Sequence, residues 1–262
     1  MKNNFFTIIK AIISKSAYKA KTLYGFFLYH FVPRKSIVLI MGAMRSGTTL
    51  LKALLAEGLN VSHIEEVNYQ DYRKYNKYYA YYQIYWLSKE KIIVLKSPGY
   101  KKCPFAKEFI RLKIIVLTRN IIDNVESLKK MTLIAKNVFP APWDNKLAIN
   151  YWCQTYESIL NDKEIGSHDI VYIKYEDLAE KPVEVTKRLF SFIGSSSNNG
   201  VNTYNQPENV TWKWGRDDGG NKIKILRVVK PEDIETQDEE LLKLLKESGR
   251  VRHLMNIFGY RL

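Results

Sequence analysis

Residues 36–51 read SIVLIMGAMRSGTTLL. The apolar run 36–41 predicts a strand of a parallel sheet that is covered on both faces. The leucines that follow Thr49 fall on one face of a helix that should begin near Gly47. A glycine-bearing loop between a buried strand and a helix presents backbone amides at the positive end of the helix dipole. This stretch therefore predicts an α/β fold with a site for a phosphate or sulfate ester at the strand end.

The alternation of strands and helices continues along the chain. Further apolar runs predict strands at 91–95, 113–118 and 169–174, and helices are predicted at 121–130, 182–193 and 231–258. Residues 195–220 lack periodicity and predict a long surface loop. With 262 residues and no internal repeat, the chain is predicted to form a P-loop-type parallel sheet flanked by helices. We expect a single domain over 36–262 after a basic amphipathic segment at 1–35.

The glycine loop resembles a nucleotide-binding loop but lacks one essential group. Gly42 and Gly47 have the spacing of a Walker A motif, yet Thr48 stands where a nucleoside triphosphatase needs lysine. Arg45 instead supplies a planar fork of donors inside the loop. A nucleotide or small-molecule kinase is weakened but stays an alternative, and so does a tight turn that binds nothing.

A second pair of polar residues follows the strand predicted at 113–118. Arg119 stands at the strand end, and Ser127 follows eight residues later, about 12 Å along a helix. The long arginine side chain can converge with this serine on one anion. Alternatively, Arg119 pairs with Asp123 or Glu126.

Residues 45–51, RSGTTLL, resemble the donor-binding loop of sulfotransferases that use 3'-phosphoadenylyl sulfate. The resemblance implies this donor, no metal ion, and a 3'-phosphate site at Arg119 and Ser127. Asn120 departs from the family pattern, in which many relatives have Asp followed by Pro. By the same resemblance, the residues that hold the 5'-phosphosulfate are Arg45, Ser46, Gly47, Thr48 and Thr49.

The resemblance extends to the groups that act on the acceptor. Lys96 begins a Lys-Ser-Pro that is similar to the family's Lys-x-Pro, whose lysine stabilises the transferred or leaving group. Glu66 matches the catalytic base of protein-tyrosine sulfotransferases, and Glu65 and His63 are the alternatives. The position of His63 suits a strand residue, and adjacent glutamates also occur in solvated loops.

Three later segments resemble the family as well. Residues 171–178, VYIKYEDL, match its strand and Tyr-Glu-Asp-Leu turn, which implies a contact between Tyr175 and the adenosine. Residues 212–216, WKWGR, are similar to the segment that closes over the nucleotide, which implies contacts from Lys213 and Arg216. Residues 258–260, FGY, match a terminal Leu-Gly-Tyr. Core packing of Tyr175 and a solvated basic loop are the alternatives.

The charge balance indicates an anionic partner without naming it. Lys and Arg total 41 against 27 Asp and Glu, a formal charge of +14, which suits a nucleotide, an acidic glycan or an anionic membrane. The two spaced anion sites disfavour nucleic acid, although a non-catalytic basic binding module stays an alternative. The acceptor, a hydroxyl or an amine with carbohydrate among the candidates, is left open. The tyrosines between positions 69 and 85 either border an acceptor pocket or pack in a helix.

The N-terminal segment mixes apolar residues with lysines. No run in residues 1–32 reaches the length that a membrane-spanning helix needs, and no secretory signal is recognised. Packing on the core is expected, with peripheral membrane contact as the alternative. Cys103 and Cys153 have no metal-binding spacing, so we expect ordinary thiols and a cytoplasmic location.

Overall fold

The structure is a computed structural model that describes residues 2–32, 35–63, 78–79, 81–82, 85, 90–98, 112–134, 139–206, 223–230 and 236–261. The strands are β1 (Ser36–Gly42), β2 (Val61–His63), β3 (Ile92–Pro98), β4 (Leu112–Thr118) and β5 (Asp169–Lys174). The helices are α1 (Lys2–Phe31), α2 (Thr48–Ala56), α3 (Ile121–Ile134), α4 (Asn145–Asn161), α5 (Tyr175–Glu180), α6 (Pro182–Ile193), α7 (Glu239–Glu247) and α8 (Gly249–Phe258).

The five strands form one parallel sheet in the order β2-β3-β1-β4-β5. The predicted strands and the predicted sheet type are confirmed, and β2 confirms that His63 belongs to a strand. Because all strands run the same way, their carboxyl ends lie at one edge of the sheet. Ligands of open α/β sheets bind at this edge.

Both faces of the sheet are buried, which explains the continuous apolar runs. Ile37, Leu39 and Met41 of β1 pack with α3, α4, α7 and α8 on one face. Val38 and Ile40 alternate with them and pack with α2, α5 and α6 on the other. The central strand therefore has no solvated side, and its position in the sheet follows from its composition.

The helices refine the predicted boundaries. Helix α3 runs beyond residue 130 to Ile134, whereas α6 has the predicted bounds and ends at Gly194 with φ 80°. The helix predicted at 231–258 is wrong as a single element, because Ser248 ends α7 and caps α8 through a bond from the Val251 amide.

The described part of the loop predicted at 195–220 is tied to the domain. Ser195 Oγ donates to the Leu59 carbonyl, 2.8 Å away. The Leu59 amide donates to Ser197 Oγ at 2.7 Å, and Tyr204 is buried. Most residues of 195–206 are exposed, so the described part is the predicted surface loop, held to a neighbouring turn by these side-chain bonds.

Candidate active site

The glycine loop lies where β1 meets α2, and its backbone adopts conformations that side chains rarely allow. Gly42, Arg45 and Gly47 have φ of 154°, 69° and 92°. A Cβ on Gly42 would come within 2.3 Å of the Leu117 carbonyl, and one on Gly47 within 2.4 Å of the Tyr175 ring. Both glycines are therefore required by close approach as well as by φ.

Two tyrosine hydroxyls from α4 hold the first half of the loop. The Met44 amide donates to Tyr151 Oη at 2.9 Å, and the Ala43 amide to Tyr156 Oη at 3.4 Å. Tyr156 in turn donates to the Leu117 carbonyl of β4 at 2.9 Å. Burial raises the pKa of both hydroxyls, so each stays neutral at physiological pH and keeps a proton to donate.

No role is predicted for these two tyrosines from the sequence, since they share a helix with many other apolar residues. The available signal was their position in a segment that follows the predicted anion-binding residues Arg119 and Ser127 along the chain. Nothing in that signal distinguishes Tyr156 from Trp152, which is equally buried.

The second half of the loop is available to an anion. Ser46 Oγ donates back to the Ala43 carbonyl at 2.7 Å and is buried, so its hydroxyl shapes the turn. The N–H groups in the first turn of a helix have no intrahelical acceptor. Those of Thr48 and Thr49 lie at the start of α2, whose first turn carries no acidic residue. This end of the helix suits an anion.

Lys96 and Thr49, predicted separately, lie together. The ammonium of Lys96, on β3, donates to Thr49 Oγ1 at 2.7 Å. Neighbouring β1 and β3 pair in register up to Gly42 and Pro98, which brings the lysine to the start of α2. A cation thus lies directly beside the helix end that is proposed to hold the anion.

Arg119 and Ser127 are also brought together, through Arg45. Arg45 Nε donates to Ser127 Oγ at 3.0 Å, and Arg119 Nη1 donates to the Arg45 carbonyl at 2.9 Å. The ion pair considered for Arg119 with Asp123 or Glu126 is not among its contacts in the described residues. Its buried Nε lacks a hydrogen-bond partner there. A buried donor in this state is costly unless a ligand supplies an acceptor.

Tyr175 lies between the glycine loop and Arg119. Its ring lies against Gly47, and the Arg119 guanidinium is 4.7 Å from the ring centroid. Burial raises the pKa of the phenol. The stacking fixes the plane of the guanidinium, so this aromatic residue packs within the site itself.

Glu176 ties the end of β4 to the end of the chain. Its carboxylate accepts from the Asn120 amide and from Tyr260 Oη, each at 2.8 Å. Tyr260 Oη lies 3.1 Å from Thr118 Oγ1, and burial raises the pKa of this phenol. Asn120 Oδ1 accepts from the Ile122 amide at 2.9 Å. Asn120, which departs from the family pattern, therefore bonds the first turn of α3.

Several predicted residues lie outside the described part of the chain: Glu65, Glu66, Lys213 and Arg216. The backbone of His63 is described in β2, but its side chain is not. Of the tyrosine-rich segment, Tyr79 packs against Tyr18 of α1 and Tyr81 against Tyr29, with centroids 4.8 and 5.2 Å apart. For these two tyrosines, helical packing is the alternative that the structure supports.

Comparison with known proteins gives one matching family and several similar solved structures. Residues 35–209 match the family described as "Sulfotransferase domain". The structure resembles the sulfotransferase domain from the curacin biosynthetic pathway, with 18% identity and a TM-score of 0.59 over 88% of this chain and all of that one. It also resembles the domain from the Synechococcus PCC 7002 olefin synthase, with 18% identity and a TM-score of 0.56 over 88% and 97%. A mouse sulfotransferase, SULT7A1 complexed with PAP, gives 14% identity and a TM-score of 0.47 over 88% and 85%. A search of curated protein sequences gave no match.

Proposed function

We propose, on the premise that this chain belongs to the sulfotransferase domain family, that it moves a sulfuryl group from 3'-phosphoadenylyl sulfate to a hydroxyl or amine. The proposal depends mainly on one observation: three cationic side chains, Lys96, Arg45 and Arg119, lie at the same edge of the sheet. The Lys96 ammonium donates a hydrogen bond to Thr49, and the Arg45 guanidinium donates one to Ser127. The Arg119 guanidinium donates to the backbone carbonyl of Arg45 in the loop. A donor with anionic groups at two ends needs this arrangement, whereas a simple tight turn does not.

The residues present fit the 3'-phosphate of such a donor. The unpartnered Nε of Arg119 is a charged donor without an acceptor in the described structure, and a phosphate oxygen would satisfy it. Ser127 Oγ adds a hydroxyl on the neighbouring helix. Arg45 donates a hydrogen bond to Ser127 Oγ. Its side chain therefore lies between the proposed 3'-phosphate and 5'-phosphosulfate positions and can pair with either group.

The 5'-phosphosulfate belongs, in this proposal, at the start of α2. The amides of Gly47, Thr48 and Thr49 and the dipole of α2 favour negative charge there. The ammonium of Lys96 lies at the same helix end. Preorganised donors in such a position stabilise charge that develops during reaction.

The proposed transfer step balances without a metal ion. The acceptor oxygen or nitrogen forms a bond to sulfur, and the bond from sulfur to the bridging phosphate oxygen breaks with its electron pair going to the phosphate. Lys96 offsets the charge that grows on this oxygen, and adenosine 3',5'-bisphosphate leaves. The acceptor proton goes to a base, for which Glu66 remains our candidate by resemblance, with Glu65 and His63 as alternatives.

The acceptor is proposed by class only. The formal charge of +14 favours an anionic acceptor such as an acidic carbohydrate. Assaying acidic glycans against neutral sugars and tyrosine peptides checks this choice. Equal turnover on neutral sugars would remove the argument from charge.

Calorimetric titration of the full chain tests the donor. Adenosine 3',5'-bisphosphate should bind without metal and at least tenfold tighter than adenosine 5'-phosphate, because the 3'-phosphate contacts Arg119 and Ser127. ATP with magnesium, the ligand of the kinase alternative, should bind more weakly than adenosine 3',5'-bisphosphate. Preference for ATP with magnesium would reject the proposal and restore the kinase.

A further inference from the structure

The outer face of α1 is apolar and exposed. Leu23, Phe27 and Phe31 follow one another at four-residue spacing, which places them on one side of the helix. Their exposed fractions are 60%, 52% and 74%. The opposite side carries Gly25 and Leu28, both buried. In its described part, the helix therefore packs on one side and presents an apolar stripe to its surroundings on the other.

Close contacts prevent α1 from rolling to bury this stripe. A Cβ on Gly25 would lie 1.7 Å from the Tyr78 carbonyl, so backbone approaches backbone there. Phe26 lies edge-on against Tyr78 and Tyr29 edge-on against Tyr81, with centroids 5.1 and 5.2 Å apart. The rotational position of the helix is therefore fixed by its inner face.

The charge of α1 has a single sign. Its sequence contains Lys2, Lys10, Lys15, Lys19 and Lys21 and no Asp or Glu. Of these, Lys15, Lys19 and Lys21 are exposed in the structure. Exposed lysines beside an apolar stripe complement an anionic bilayer surface, where acyl chains meet acidic headgroups.

A depression of about 330 Å³ adjoins the stripe and combines the same two chemistries. Its lining is aromatic and aliphatic except for Lys19 and Thr22, and consists of Tyr18, Lys19, Thr22, Leu23, Phe26 and Tyr78. An ammonium group beside hydrocarbon walls matches a phospholipid, whose phosphate lies next to its acyl carbons. Among the helices that the structure describes, none is long and apolar enough to cross a bilayer.

We propose that α1 docks this chain on an anionic lipid bilayer as an interfacial helix. Leu23, Phe27 and Phe31 enter the boundary between headgroups and acyl chains, and the exposed Lys15 and Lys19 contact the acidic headgroups. This role is independent of the transfer reaction, because it uses the face of α1 that is turned away from the core.

Co-sedimentation with lipid vesicles tests the docking. The full chain should bind vesicles of phosphatidylcholine with about 30% phosphatidylserine and bind pure phosphatidylcholine at least tenfold more weakly. Replacing Leu23, Phe27 and Phe31 by Ser should lower binding to the acidic vesicles by at least about tenfold. The matched control replaces Leu147, Val183 and Ile257 by Ser, which are also about half exposed but lie outside α1, and should bind as the parent does.

The unfolding temperature of both triple variants, measured by circular dichroism, shows that each is folded. Equal binding to the two kinds of vesicle, equal loss in the two triple variants, or no sedimentation of the parent would each overturn the proposal. So would a parent dimer that the α1 triple variant abolishes while vesicles capture neither protein, since a second copy would then cover the stripe.

Discussion

The two ends of the candidate donor site differ in the chemical groups that form them. At the loop end, the proposed anion site consists of backbone amides whose placement depends on two glycines with positive φ. At the Arg119 end, it consists of side chains held by other side chains, among them Tyr175 and Glu176. The first end is specified within a few consecutive residues, whereas the second is assembled from β4, α3, α5 and the C-terminus.

This difference teaches where each end is sensitive to mutation. A backbone site fails when a side chain is added, because there is no room for it. A site made of side chains fails by degrees, because each partner removed loosens the next. Mutations at the two ends should therefore differ in their effects, and the lysine beside the loop should matter most.

Removing the cation at the loop end should have the largest effect. Lys96→Met should lower kcat by about a hundredfold to a thousandfold, as expected for one donor that stabilises developing charge. The affinity for adenosine 3',5'-bisphosphate should change less than threefold. Single-turnover transfer and calorimetry measure the two quantities, and a lysine that only shaped the site would reduce both together.

Adding one methyl group to the loop should be the next most damaging change. Gly47→Ala combines positive φ with a Cβ 2.4 Å from the Tyr175 ring, and should reduce the free energy of unfolding by about 2–4 kcal/mol. Gly194→Ala is the matched control, since φ is 80° there and nothing lies within 4 Å. It should cost only about 1 kcal/mol. Urea denaturation compares the two, and equal losses would show that the contact with Tyr175 imposes no constraint.

The same contrast explains what the sequence could predict. Strands β1, β3, β4 and β5 are continuous apolar runs, so the sheet can be predicted from the sequence without knowledge of any contact. The loop was readable because Gly42 and Gly47 lie five residues apart with Arg45 between them. The family resemblance predicts functional roles for Lys96 and Arg119, and the structure places both residues at the same edge of the sheet.

The residues that hold the site in place, such as Tyr156, Glu176 and Tyr260, could not be predicted in this way. Tyr156 is an aromatic residue on an amphipathic helix, a pattern that indicates only core packing. Its bonds join the Ala43 amide, 113 residues earlier, to the end of β4. Glu176 and Tyr260, 84 residues apart, pair through a contact that no local pattern encodes. Long-range hydrogen bonds of this kind follow from the fold and become visible only once it is known.

At the Arg119 end, loss of the guanidinium should separate the two nucleotides. Arg119→Ala should weaken adenosine 3',5'-bisphosphate by about tenfold to a hundredfold, the effect of one or two charge-assisted hydrogen bonds. Binding of adenosine 5'-phosphate should fall less than threefold. Arg188→Ala, at an exposed arginine of α6, is the control and should change neither. Equal losses for the two nucleotides would remove the 3'-phosphate from Arg119.

The smallest effect should come from a residue that touches no ligand and acts through Glu176. Tyr260→Phe removes the hydroxyl that donates to Glu176 Oε2, which leaves the carboxylate holding the Asn120 amide without its second partner. Arg119, one residue earlier, then loses part of its support, and adenosine 3',5'-bisphosphate should bind about threefold to tenfold more weakly. The ratio of its affinity to that of adenosine 5'-phosphate should fall as well, which a general loss of stability would not cause. Tyr172→Phe, on a half-exposed ring of β5, should leave this ratio unchanged, and if both variants behave alike then Tyr260 only packs.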